Sequence, residues 1–396
     1  MTDDLIVIGG GIHGAATALE ATLRGHAVRL IEQFDHLAQG TSSRSSKLVH
    51  GGLRYLEQHQ WALVRESLTA RRRLLALAPE LVELIDFHIP VYRHSRRSPG
   101  LIGLGLSLYA VLGGLDAAAR FTRLPSRHWE RLDGLATREL RAVFRYHDGR
   151  TDDHALTRAL MYAACRHGAE LQLEEPVRRI VLHRQGVDVV TEKGSYSAHA
   201  VVNAAGPWVG SVLAAVTPIQ KAPPIELVAG SHLVVAGRLS QGAYYVEAPA
   251  DGRAVFLVPW ASGVMIGTTE RRFEGDPSRV VPTPAEMDYL RETAAAHFDP
   301  RHVDVSQILS QFAGLRVLPR GEGDPFARAR DTRLLLDRHE PPRLVSILGG
   351  KLTTHYPTAQ RVLDALAPAL PQRRHRELAS IDPAPEAFAG GPLRPW

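Results

Sequence analysis

Three glycines and one glutamate near the start of the chain are spaced to hold a dinucleotide. Gly9, Gly11 and Gly14 stand as Gly-x-Gly-x-x-Gly directly after the apolar run Leu5-Ile6-Val7-Ile8, and Glu32 closes a second apolar run, Ala27-Val28-Arg29-Leu30-Ile31. In such a unit the first glycine allows a tight turn, the second lets the backbone approach a pyrophosphate, and the third lets helix and strand pack closely. The helix N-terminus offers unpaired N–H groups to the anion. Glu32 is placed to accept hydrogen bonds from a ribose diol, and the unit alone leaves NAD and FAD both open. A second stretch, Thr41-Ser42-Ser43-Arg44-Ser45-Ser46-Lys47, carries hydroxyls and amides suited to wrap an extended, phosphate-bearing ligand. The chain has only four lysines, at 47, 193, 221 and 351, against 43 arginines. Lys47 and Lys351 lie in serine- or glycine-rich motifs, where a compact ammonium is a better fit than a planar guanidinium.

The pattern also locates the elements that must position these residues. An Ala-rich helix over 15–24 joins the two N-terminal strands. Residues 154–168 read as a helix with Asp152 or Asp153 as N-cap and Gly168 as its stop. Then 170–174, 177–183, 186–192 and 195–203 read as strands of a meander, the last running into Asn203-Ala204-Ala205-Gly206, where the lack of bulk suits close approach of a ligand. Residues 226–270 are strand-like and 284–297 helical. Leu344-Val345-Ser346-Ile347-Leu348 then meets Gly349-Gly350-Lys351, with a helix from Thr353 or Thr354 to Leu366. This second strand-glycine-helix corner is not a P-loop: no glycine stands five residues before Gly350, and Leu352 replaces the required Ser or Thr.

With 396 residues, 44% hydrophobic and 22% charged, the chain has the length for two domains with cores of their own. Its single cysteine, Cys165, rules out an internal disulfide and reads as a buried thiol within an apolar pattern. A net charge of +5 without interleaved aromatic and basic residues speaks against nucleic acid as a partner. The chain enters its first strand at once, leaving no room for a signal peptide, so a cytoplasmic location is expected. There is no second Gly-x-Gly-x-x-Gly for a nicotinamide nucleotide, since Gly100, Gly103 and Gly105 have the wrong spacing. Electrons are therefore expected to come from the substrate. No metal site is assigned.

Further motifs carry a resemblance. Thr41-Ser42-Ser43-x-Ser45-Ser46-Lys47-Leu48-Val49-His50-Gly51-Gly52-Leu53-Arg54-Tyr55-Leu56-Glu57 resembles the FAD-dependent glycerol-3-phosphate dehydrogenase family. Gly230-Ser231-His232, Ile266-Gly267-Thr268-Thr269, Gly314-Leu315-Arg316, Arg330-Asp331 and Gly349-Gly350-Lys351-Leu352-Thr353-Thr354 follow in that family's order, so the likeness runs from about residue 3 to about 366. It implies an α/β plus α+β fold of the D-amino-acid oxidase type: a Rossmann-like FAD-binding domain with an inserted antiparallel-sheet substrate domain. The expected division is 1–86, 150–222 and 330–370 for FAD, 87–149 and 223–329 for the substrate or cap domain, and 371–396 as a tail.

The implied activity is oxidation of sn-glycerol 3-phosphate to dihydroxyacetone phosphate by hydride transfer to flavin N5, with electrons passed to a quinone or another acceptor. Such chemistry needs the C–H bond held over the ring, a base for the hydroxyl proton, and positive charge near the developing alkoxide. By resemblance, FAD is held by Gly9, Gly11, Ile12, His13, Gly14, Glu32 and Gln33. Along the serine loop it meets Thr41, Ser42, Ser43, Ser46, Lys47 and Leu48, then Val177, Ala205 and Gly206. At the far corner it meets Gly314, Gly350, Lys351, Leu352 and Thr353. Arg54, Tyr55 and Arg330 would hold the substrate phosphate, with Arg316 and Lys351 near the reacting end. His232, with an unperturbed pKa near ~6.5, is the natural base.

The chain also departs from the family's pattern. Typical members continue into a C-terminal helical domain beyond the point where this chain stops. Arg44 replaces a small residue, Val317 a common Pro, and Thr332 a usual Tyr. Two alternatives therefore stand: a flavin oxidoreductase acting on another small anionic hydroxy acid or amino acid, and a flavin-binding partner subunit without its own turnover. The uncharged stretch Leu101–Leu115, preceded by Arg93, Arg96 and Arg97, is too short to span a bilayer. It reads either as a peripheral contact with the inner face of the cell membrane or as a packed helix. A homodimer is an assembly the resemblance leaves open.

Overall fold

The computed structural model describes residues 2–57, 59–221, 223–320, 332–338 and 340–390, with the side chains of Arg54, Ala117 and Gly390 outside that description. Asp3–Ile8 forms a strand buried along its whole length, the mark of a strand covered on both faces. It pairs in parallel with Val28–Ile31 on one side and Ser195–Asn203 on the other. Leu344–Leu348 adds in parallel against the last residues of Ser195–Asn203, and Arg333–Leu336 runs antiparallel to it. Val177–His183, Gly186–Thr191 and Ser195–Asn203 make the expected antiparallel meander. Glu170–Gln172 is not part of it. The helix Asp153–Arg166 carries the chain to the opposite edge, where Glu170–Gln172 pairs in parallel with Val28–Ile31.

Helices Ile12–Leu23, Asp153–Arg166 and His355–Leu366 cover one face of this sheet, and Leu5, Val7, Leu30, Leu156, Val345 and Leu363 close the core between them. Asp152 caps the second of these helices, accepting from the N–H groups of His154 and Ala155. The first helix has no side-chain cap on Gly11, so its leading N–H groups need other partners.

A second, mostly antiparallel sheet is built around Val82–Tyr92, Leu140–Thr151, Ile225–Gly237 and Val303–Pro319. Ala243–Glu247, Ala254–Trp260 and Gly263–Gly267 complete its centre. It takes in Leu48–Val49 and begins Val82–Tyr92 before residue 87, ahead of the boundary expected from sequence. Helix Pro284–His297 packs on one face, its start fixed by a capping box between Thr283 and Glu286. Helices Trp61–Leu77 and Pro99–Leu112 pack on the other. Ile225–Gly237 and Val303–Pro319 pair over most of their length, setting Gly230 opposite Gly314 and His232 opposite Phe312.

Candidate active site

The two glycine corners face a cavity of about 510 Å³ lined from both sheets. At the first corner Gly9 has φ +107°, and a Cβ there would stand 2.7 Å from the Ala204 carbonyl oxygen. Gly9, Gly11, Ile12 and His13 line the cavity. Gly14 does not: it lets the helix approach the strand, since a Cβ on it would lie 1.8 Å from Gly9 O. The Ile12 N–H donates to Ser42 Oγ at 2.9 Å, so the serine loop supplies one of the partners the uncapped helix needs.

Glu32 and Gln33 also line the cavity. The Glu32 carboxylate accepts from the Gly10 N–H at 2.6 Å and the Phe34 N–H at 3.0 Å. It thus splints the glycine turn, a role the sequence did not disclose. Burial raises its pKa, against the pull of these hydrogen bonds.

Along the serine loop, Thr41, Ser42, Ser46 and Leu48 line the cavity, and Thr41 Oγ1 donates to Leu315 O at 2.5 Å. Two expected residues do not line it. Ser43 turns its hydroxyl to Gly40 O at 3.3 Å, and Lys47 points into the protein, where Nζ donates to Ser43 O at 2.6 Å and pairs with the Asp153 carboxylate. The cause is electrostatic: Asp153 is fully buried and requires a cation beside it.

Val177, Ala205 and Gly206 complete one wall, and Gly314, Gly350, Lys351, Leu352 and Thr353 another. The second corner is tied down twice. Thr353 Oγ1 accepts from the His50 N–H at 3.1 Å, and the His13 ring packs on Gly350, where a Cβ would meet Nε2 at 2.1 Å. Both His13 ring nitrogens are sealed from solvent. Burial, His355 and Arg361 lower its pKa to about 3.

His232, Arg316, Lys351 and Tyr55 line the same cavity. The Lys351 ammonium sits 3.9 Å from the centre of the Tyr55 ring. Arg316 Nη1 is 2.7 Å from the Glu270 carboxylate, whose side chain is 3% exposed. His232 Nε2 is 2.9 Å from Ser46 Oγ, and its ring stacks on Phe312 at 4.9 Å. The expected unperturbed histidine is not found: burial, Arg316 and Lys47 bring the His232 pKa down to about 3. The Arg54 side chain and all of Arg330 lie outside the described residues.

Sequence reading missed Glu270, Phe312 and the partner of Ser46. Phe312, Gly314 and Arg316 alternate along one strand, so a period of two pointed from Arg316 back to Phe312. Nothing in the sequence paired residue 46 with residue 232. Cys165 is half-buried, and burial pushes its thiol up to about 11, as a non-reactive cysteine requires.

Residues 4–361 match the family described as FAD dependent oxidoreductase. A glycerol-3-phosphate dehydrogenase of Pseudomonas aeruginosa is 40% identical over 381 residues, covering 92% of this chain and 72% of that protein. A D-erythritol 1-phosphate dehydrogenase of Brucella abortus is 36% identical over 379 residues, covering 94% and 75%. Among solved structures, the glycerol-3-phosphate dehydrogenase from Bacillus halodurans complexed with FAD superposes with a TM-score of 0.71 at 28% identity, over 94% of this chain and 66% of that one. The residues present fit FAD. The serine loop already sets the Ser42 hydroxyl at the helix N-terminus, an acid closes the second strand, and both corners are cut back to glycine where a Cβ would intrude.

Proposed function

The chain belongs to the FAD-dependent oxidoreductase family, and from that premise we propose that it oxidises sn-glycerol 3-phosphate to dihydroxyacetone phosphate. When bound, FAD supplies the two-electron acceptor. The observation that carries the reading is one cavity lined by two cations, Lys351 and Arg316, and by an uncharged histidine, His232. The cations attract a dianionic phosphate ester and stabilise negative charge on an alcohol oxygen as its proton leaves. His232 is uncharged throughout the physiological range and so is able to accept that proton. A bound dianion offsets the Arg316 charge and raises the imidazole's proton affinity. Arg54 and Arg330 are assigned to the phosphate by their motifs.

A second reading, oxidation of a four-carbon alditol phosphate, is favoured by the Brucella relative. The cavity lining includes, besides Tyr55, the rings of Phe87, Tyr146 and Phe256, against which the carbon chain of a longer alditol could pack. Anaerobic titration of the yellow holoenzyme separates these readings. Bleaching of the flavin by sn-glycerol 3-phosphate, and not by lactate or amino acids, is expected. Stronger bleaching by erythritol 1-phosphate selects the second reading, and bleaching by neither phosphate ester overturns both.

Electrons leave, in this proposal, to a quinone at a membrane surface. No helix among the described residues is long and apolar enough to cross a membrane. Helix Pro99–Leu112 instead exposes Leu101, Leu104 and Val111 at helical spacing on one face, and Leu115 is exposed in the turn that follows. Such a face, beside Arg93 and Arg96, suits shallow insertion among anionic lipids.

A further inference from the structure

Glu270 does not line the cavity, yet its carboxylate is buried directly behind a residue that does. A buried carboxylate is costly unless a cation and hydrogen bonds offset it, and among the described residues Arg316 is a cation that does so. The segment that carries Glu270 is fastened on both sides. Thr269 Oγ1 donates to Glu286 at 2.6 Å and accepts from the Ser231 N–H at 3.0 Å, while Arg271 Nε lies 3.3 Å from the same Glu286 carboxylate. Glu286 is itself locked in the capping box that starts helix Pro284–His297. The position of Glu270 is therefore set by the helix behind the sheet, not by the cavity.

Arg316 is held correspondingly. Nη1 meets Glu270, and Nη2 lies 3.1 Å from the point a Cβ on Gly230 would occupy, so the guanidinium lies across a residue stripped of its side chain. Gly230 is two residues from His232 on the same strand, and Arg316 is one of the charges that depress the His232 proton affinity.

We infer that Glu270 is a positioning residue of the oxidation: it fixes the Arg316 fork at the cavity wall and offsets part of its charge, so that a phosphate ester meets a cation of defined direction. This rests on the reading of Arg316 as a substrate-side cation. Holding one edge of a guanidinium leaves its plane and direction defined, which a lone flexible arginine lacks. Removing only the negative charge leaves the geometry in place and the field too positive. Anions then bind more tightly and proton removal slows.

The test compares Glu270→Gln, Glu270→Ala and Arg316→Met as FAD-loaded enzymes, reading kcat and KM for sn-glycerol 3-phosphate and inhibition by inorganic phosphate. Glu270→Gln keeps an oxygen to accept from Nη1. It is expected to lower KM and the phosphate inhibition constant several-fold while lowering kcat roughly tenfold or more. Glu270→Ala, which also frees the fork, is expected to lose the gain in phosphate affinity. Unchanged kcat, KM and phosphate inhibition in Glu270→Gln, beside a severe loss in Arg316→Met, would overturn the inference alone. Arg316→Met with wild-type kinetics would overturn the reading beneath it. Should Glu270→Ala fail to fold, the Glu270→Gln comparison decides by itself.

Discussion

The ammonium of Lys351 rests 3.9 Å from the centre of the Tyr55 ring, joining the second glycine corner to the segment that follows the serine loop. A cation over a buried aromatic face is held firmly, because both partners are sheltered from water. Tyr55→Phe keeps the face and loses the phenol, whereas Tyr55→Leu loses both. The expected order of kcat/KM for sn-glycerol 3-phosphate is wild type, then Tyr55→Phe, then Tyr55→Leu, with Lys351→Met lowest at ~10²-fold or more below wild type. Equal losses in the two Tyr55 variants would show that the ring face contributes nothing.

Ser46 and His232 are 2.9 Å apart. General-base assistance is worth roughly 10²–10⁴-fold, so His232→Leu should slow anaerobic flavin reduction by at least about 100-fold with flavin content retained. Ser46→Ala should slow it less. Stopped-flow absorbance of the bound flavin measures both, and a His232→Leu enzyme reduced at the wild-type rate would remove His232 from the chemistry.

Five histidines, His13, His88, His154, His232 and His355, have pKa values lowered to about 3, 4, 4, 3 and 4, in each case chiefly by burial. Because each binds its proton less well folded than unfolded, protonation favours the unfolded chain. The stability they confer is intact above pH ~6.5 and falls below it, by about 1.4 kcal/mol per pH unit for each histidine, until the folded pKa is reached. Thermal unfolding from pH 7 to 4.5 should show a falling Tm. His355→Asn should flatten that slope relative to wild type; an unchanged slope would contradict the buried neutral state.

Leu104 is 68% exposed on the apolar face of Pro99–Leu112. Leu104→Glu should abolish sedimentation with anionic liposomes at low salt and leave reduction of a soluble dye intact. Absence of wild-type sedimentation under the same conditions would end the membrane proposal.

Much of this arrangement is readable from local pattern. The glycine corner at 9–14, the helix 284–297 and the strand Leu344–Leu348 follow from spacing, caps and apolar runs, and each is found where expected. What was not readable depends on charge partners far apart in sequence. Lys47 looked like a ligand-binding cation because its neighbours are serines, but Asp153, more than a hundred residues on, takes it. Gly-Ser-His alone implies an ordinary titration for His232, because neither Arg316 nor the depth of burial is visible from it. Glu170–Gln172 reads as part of the meander because strand patterns carry no information on which edge they join.

The strand Ser195–Asn203 serves two neighbours on one flank: its first residues pair with Gly186–Thr191 and its last with Leu344–Leu348. During synthesis, the parallel half of that flank stays open until roughly 140 further residues have left the ribosome. A nascent chain halted before residue 344 would present Val201 and Val202, both fully buried in the finished protein, along an unprotected sheet edge. Translation of Leu344–Leu348, and not of the first glycine motif, is thus the event that covers this sheet edge, and helix His355–Leu366 then follows to cover its face.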